Sequence, residues 1–96
     1  MAEHTFTLFI AGGSELAERA LSNFDRIVRR RLQHLCTLNV IDVVKDPCSA
    51  RTHRVMATPL LVRERPSPVI KILGDLSHEE KIVTQLGLKD SPDAYR

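Results

Sequence analysis

The sequence predicts an α/β fold with the element order βαβαββα and a mixed four-stranded sheet. Three observations carry that prediction. In the N-terminal half, β-rich apolar runs flank one long stretch with helical periodicity, the pattern of a right-handed βαβ unit with parallel strands. In the C-terminal half, two short apolar runs, Pro59 to Arg63 and Pro68 to Leu73, are joined by Arg65-Pro66-Ser67-Pro68, which suits an antiparallel hairpin near a sheet edge. Thr58-Pro59 stands at the mouth of the first of these runs, and cis peptide bonds are essentially confined to proline.

Taken in order, Thr5 to Ala11 is β-rich, and its near-continuous apolar end predicts a central strand covered on both faces. Gly12-Gly13 breaks it, and Ser14 is placed to cap a helix with Glu15 and Glu18 in the first turn. Leu16, Ala17, Ala20, Leu21, Phe24, Ile27, Val28, Leu32 and Leu35 then recur at three- and four-residue spacing as one apolar stripe. Arg19, Arg26, Arg29 and Arg30 fall on the opposite face. Leu38 to Val44, rich in β-branched residues, predicts a second buried strand. Asp46-Pro47 starts a short helix, Cys48 to Met56, which closes because Thr58 precedes a proline. Gly74-Asp75 turns the chain out of the fourth strand. Ser77-His78-Glu79-Glu80 fits a capping box, Ile82, Val83 and Leu86 form the buried stripe of the last helix, and Gly87 suits its C-cap. Residues 89–96 read as a polar tail.

Composition bounds the function. The chain has 96 residues, 43% of them hydrophobic, enough for one domain over residues 1–96 without disulfide or metal support. Fourteen Lys and Arg against twelve Asp and Glu leave a net charge of only +2, which argues against a bulk electrostatic role with nucleic acid. The apolar runs, about six residues at most, fall far short of a membrane span, and the N-terminus is too polar for a signal peptide. A cytoplasmic protein is the expectation. Cys36 and Cys48 match neither a redox pair nor a zinc half-site, and no two of the four histidines have helical metal-ligand spacing. No cofactor or metal is expected.

A Thr-Pro dipeptide before a buried apolar strand is where thioredoxin-like domains place a cis proline, so the order of elements and Pro59 together predict that fold, with Pro59 cis. Its redox chemistry is missing. Redox members hold a cysteine at the start of the first helix, where the macrodipole lowers its pKa, and this chain has Gly12-Gly13-Ser14-Glu15. Ser14 replacing the thiol is a minor enzymatic alternative, in a chain without the helical domain of glutathione-binding relatives. Asp42 invites a catalytic reading but is better explained as a strand-end carboxylate bonded to backbone. The arginine run from Arg26 to Arg31 alternates with core positions and reads as a solvated helix face, open to protein contact.

Leu8-Phe9-Ile10-Ala11-Gly12, Arg19-Ala20-Leu21, Val40-Ile41-Asp42-Val43, Asp46-Pro47, Ala57-Thr58-Pro59-Leu60 and Pro68 to Ser77 give the chain a second, more specific likeness. In their order and spacing it resembles the KaiB family of the KaiABC circadian clock, to about Leu88. The resemblance implies a non-enzymatic regulator that docks on a KaiC-type ATPase ring and modulates its phosphorylation cycle, as the related domain of the kinase SasA competes to do. It also implies a metamorphic protein: a tetramer or dimer at rest, with a rearranged C-terminal half as the alternative fold, and a thioredoxin-like form that binds KaiC. Arg19, Arg54 and Arg63 carry over as partner-binding residues, and Thr58, Pro59, Gly74, Asp75, Gln85 and Gly87 as structural or switch positions. Cys36 and Asn39 replace a tyrosine and a lysine of cyanobacterial members, which weighs against KaiA binding. Gln85 and Gly87 replace glycine and aspartate, and Gln85 favours the helical form. The alternative is a cysteine-free thioredoxin-like adaptor or sensor with another protein partner.

Overall fold

The computed structural model describes residues 3–88, so the expectation for residues 89–96 lies outside the described residues. The strands are β1 (His4–Ile10), β2 (Cys36–Asp42), β3 (Leu60–Arg65) and β4 (Ile70–Leu73), and the helices are α1 (Glu15–Phe24), α2 (Pro47–Thr52) and α3 (Glu79–Leu86). They form one mixed sheet in the order β2-β1-β3-β4. β1 runs parallel to β2, from His4 opposite Cys36 to Ile10 opposite Asp42, and antiparallel to β3. This is the thioredoxin-like arrangement that the sequence predicts.

Alternation along β1 sorts the core. Phe6, Leu8 and Ile10 enter the main apolar cluster with Ala17, Ala20 and Phe24 of α1 and Ile82 and Leu86 of α3. Phe6 and Phe24 meet edge to face, with centroids 5.2 Å apart. Burying each such ring stabilises the fold by about 2 to 3 kcal/mol. Phe9 points to the other face, where it is fully buried and meets the His53 ring that follows α2. β1 is therefore the central strand covered on both sides.

Four expectations are corrected. The long helical stripe does not run as one α-helix: α1 passes into a π-helical stretch (Asp25–Arg29), one α-helical turn (Arg30–Leu32) and a 3-10 turn (Gln33–Leu35). There the Arg31 guanidinium donates to the Ile27 carbonyl at 2.8 Å and reaches Glu79 at 2.9 Å. The second strand is an edge strand starting at Cys36, and it is not buried: Val40 is 46% exposed, because β1 covers only one of its edges. The second helix ends at Thr52, four residues early, because Arg54 takes a left-handed conformation and the Val55 N–H closes on the Ala50 carbonyl at 2.8 Å. Ser77 does not cap α3. Its N–H donates to Asp75 Oδ1 at 3.1 Å, which holds it one residue short of the helix, while Leu76 is buried at a φ of +63°.

The remaining signals hold. Ser14 Oγ accepts the Ala17 N–H at 3.1 Å, and Asp46 Oδ1 accepts the Ser49 N–H at 3.1 Å with Pro47 at the first helical position. Gly87, at φ +65°, closes α3 with the Leu88 N–H on the Val83 carbonyl at 2.9 Å.

Candidate functional site

Four chain segments meet at one end of the sheet: the C-terminal ends of β1 and β2, the entry to β3 and the exit from β4. In open α/β sheets this is the end at which ligands bind. Asp42 ties its middle together. Its Oδ1 accepts the Gly12 N–H at 3.0 Å and the Val44 N–H at 2.9 Å. These donors, Gly12 first, hold the carboxyl below its usual range, the opposite of what a general acid needs. Gly12 itself sits at φ +57°, a conformation that favours glycine. The Ser14 hydroxyl, at the position of a redox cysteine, accepts a helix N–H as a cap.

Beside this end lies a groove of about 210 Å³ lined by Arg54, Met56, Ala57, Leu60, Lys71 and Leu73. Met56 is 93% exposed and Leu73 is 62% exposed, so two large apolar side chains face water within one concavity. Among the described residues, two cations line it and no carboxylate does. Arg54 has φ +55°, where a non-glycine residue costs about 1 to 2 kcal/mol. Strain of this kind persists at functional positions when the surroundings hold it. The α2 cap supplies that hold. A larger depression of about 680 Å³ between Arg31 and α3 is lined by Arg31 and Glu79, whose charges already satisfy each other.

The three predicted partner-binding arginines separate. Arg54 is exposed in the groove. Arg19 is exposed on α1 but paired within the chain, to Glu15 at 2.6 Å and to Asp75 at 3.7 Å, and the Glu15 bond leads the causes that raise its pKa. Arg63 has a different job from a surface contact. It is 5% exposed, donating from Nη1 to the Leu86 carbonyl at 2.8 Å and from Nη2 to the Pro68 carbonyl at 3.2 Å.

Among the predicted switch positions, Thr58 and Pro59 form a cis bond, Pro59 is buried, and its carbonyl accepts the Gly74 N–H at 2.9 Å. Asp75 accepts from Ser77, which leads the causes that lower its pKa, and its carbonyl accepts from Asn23 at 2.8 Å. Gln85 is exposed on α3 and, with Gly87, flanks Leu86, whose carbonyl accepts from Arg63 of β3. Met56, Ala57, Lys71 and Leu73 were not anticipated. The alternation Val69, Lys71, Leu73 against Ile70, Ile72 carried the signal for the last two, since period two separates the outward face of a strand from the core.

The chain is thus a thioredoxin-like domain whose thiol position is a helix cap and which carries an apolar, cationic groove at one end of its sheet. The family model described as the KaiB domain matches residues 7–88. The chain belongs to the KaiB family. It is 39% identical over 85 residues to the circadian clock oscillator protein KaiB of Cyanothece sp., covering 88% of this chain and 81% of the relative. The KaiB of Microcystis aeruginosa is likewise 39% identical, with 88% and 82% covered. Among solved structures, the N-terminal domain of Synechococcus elongatus SasA is similar with a TM-score of 0.73 at 21% identity, over 90% of this chain and 81% of that one. The thioredoxin Deadhead of Drosophila gives 0.69 at 17% identity, over 88% and 79%. These two establish the fold alone.

Proposed function

We propose that this KaiB-family chain is a non-enzymatic timing regulator that binds a KaiC-type ATPase ring and modulates its phosphorylation cycle. The observation that carries the reading is the groove of Arg54, Met56, Leu60, Lys71 and Leu73: exposed, apolar and cationic, at the ligand-binding end of the sheet. Family membership supports the partner class. The commitment of Ser14 and Asp42 to backbone hydrogen bonds supports a binding role over a catalytic one.

On this reading Arg54 is the principal contact and Arg19 a secondary one, while Arg63 holds the fold. The thioredoxin-like arrangement is the binding form, and Gln85 favours it by stabilising α3. The test is co-purification of the chain with the KaiC-type ring of the same organism in the presence of ATP. A stoichiometric complex that slows or reverses ring phosphorylation is expected. If the folded chain does not bind that ring, the reading fails and an adaptor role with another partner takes its place.

A further inference from the structure

We infer that the partner meets this groove with an extended, acidic segment that adds to the free edge of β4 as a fifth strand. This rests on the docking function proposed above and specifies its chemistry.

β4 is the last strand of the sheet order, so among the described residues one of its edges has no strand beside it. The Gly74 N–H donates to the Pro59 carbonyl at 2.9 Å, and with the β3–β4 register this fixes which backbone groups face outward. In an antiparallel pair, hydrogen-bonded and non-hydrogen-bonded residues alternate. Ile70 and Ile72 therefore turn their N–H and C=O groups to β3, and Lys71 and Leu73 turn theirs away. The same two residues line the groove. Main-chain donors and acceptors at the edge and side-chain contacts in the groove thus belong to one pair of positions, which is what strand addition requires: backbone bonds for affinity and pockets for alternate side chains.

Charge selects the occupant. A second copy of β4 laid antiparallel along this edge would bring Lys71 of each copy toward Lys71 and Arg54 of the other, and like charges across strands are destabilising. A lysine on an exposed edge guards against self-pairing for the same reason. A segment with carboxylates at alternate positions removes that penalty and pairs with both cations. Its apolar residues then have Met56 and Leu73 to cover, together with the 59% exposed Val69 just before β4.

Amide hydrogen exchange tests this, on the full chain alone and bound to the KaiC-type ring with ATP, quenched and read residue by residue. Lys71 and Leu73 are expected to exchange at least tenfold more slowly in the complex, while Ile72 is slow in both states. Lys71→Glu, with its fold checked by circular dichroism, is expected to weaken ring binding at least tenfold. Binding that leaves the Lys71 and Leu73 amides unprotected overturns the strand addition and leaves the docking function standing. Absence of binding overturns both. Unchanged affinity in Lys71→Glu overturns the acidic segment. Protection that grows with the concentration of this chain alone assigns the edge to self-pairing and overturns the proposal.

Discussion

Arg63 Nη1 donates to the carbonyl oxygen of Leu86 at 2.8 Å, so a buried cation in β3 satisfies the C-terminal turn of α3. Its Nη2 takes the Pro68 carbonyl at 3.2 Å in the β3–β4 turn. One guanidinium thus joins three parts of the C-terminal half, and a helix C-terminus is where a cation is favoured. Arg63→Met leaves two carbonyls without their donor and is expected to lower the free energy of unfolding by about 3 kcal/mol, read by urea denaturation at neutral pH. Arg63→Lys recovers only part of this, because an ammonium lacks the planar fork that reaches both carbonyls. Full stability in Arg63→Met would contradict the role given to the pair.

His4 makes stability depend on pH. Burial, and then the charge of Arg63, lower its pKa. The folded state therefore binds fewer protons than the unfolded chain just below the ordinary histidine pKa, so stability falls as pH drops below about 6.5. His4→Phe is expected to flatten that part of a stability-against-pH curve. A second loss remains at lower pH. Asp42, Asp46, Asp75 and Glu79 have depressed values, and the stability they add above the ordinary carboxyl range disappears as pH falls through their folded pKa values.

With Arg54 as the proposed contact, its backbone sets stability against binding. Glycine at φ +55° relieves the strain of a side chain there, so Arg54→Gly is expected to raise the unfolding free energy by up to about 1 kcal/mol while weakening the ring complex. A thermal melt and a binding titration on the same preparation check both signs.

The end of α3 gives an independent check. Gly87→Ala places a Cβ at φ +65° and is expected to cost about 1 kcal/mol. Gln85→Gly, in the exposed last turn of the helix, costs somewhat less through helix propensity. Solution NMR of the wild type is expected to give helical shifts over Glu79–Leu86. A non-helical stretch there would place the C-terminal half in the rearranged fold.

Much of the fold was legible because local signals and tertiary structure agree. The apolar run of β1, the Ser14, Asp46-Pro47 and Gly87 caps, and the proline-bracketed hairpin each point to the element that forms. Misreadings fell where a neighbour decides. The β-branched run of β2 looks like a buried strand, yet among the described residues nothing pairs with its outer edge, and Val44 beyond it is 70% exposed. Ser77 has the sequence of a cap, but Asp75 takes its N–H first. Arg54, which the family pattern singles out, lines the groove, whereas the burial of Arg63 depends on α3 folding back over β3, which no local spacing announces. The groove was missed because it joins residues from the segment after α2 to β3 and β4.

The most direct test of the account is the affinity of the KaiC-type ring, with ATP, for the wild-type chain and for Arg54→Glu, with unfolding curves recorded for both. Reversing a charge that is desolvated on binding is expected to cost at least about 2 kcal/mol, roughly a thirtyfold rise in Kd, with stability unchanged to within about 0.5 kcal/mol. Wild-type affinity in a folded Arg54→Glu variant would contradict the assignment of this groove as the binding surface.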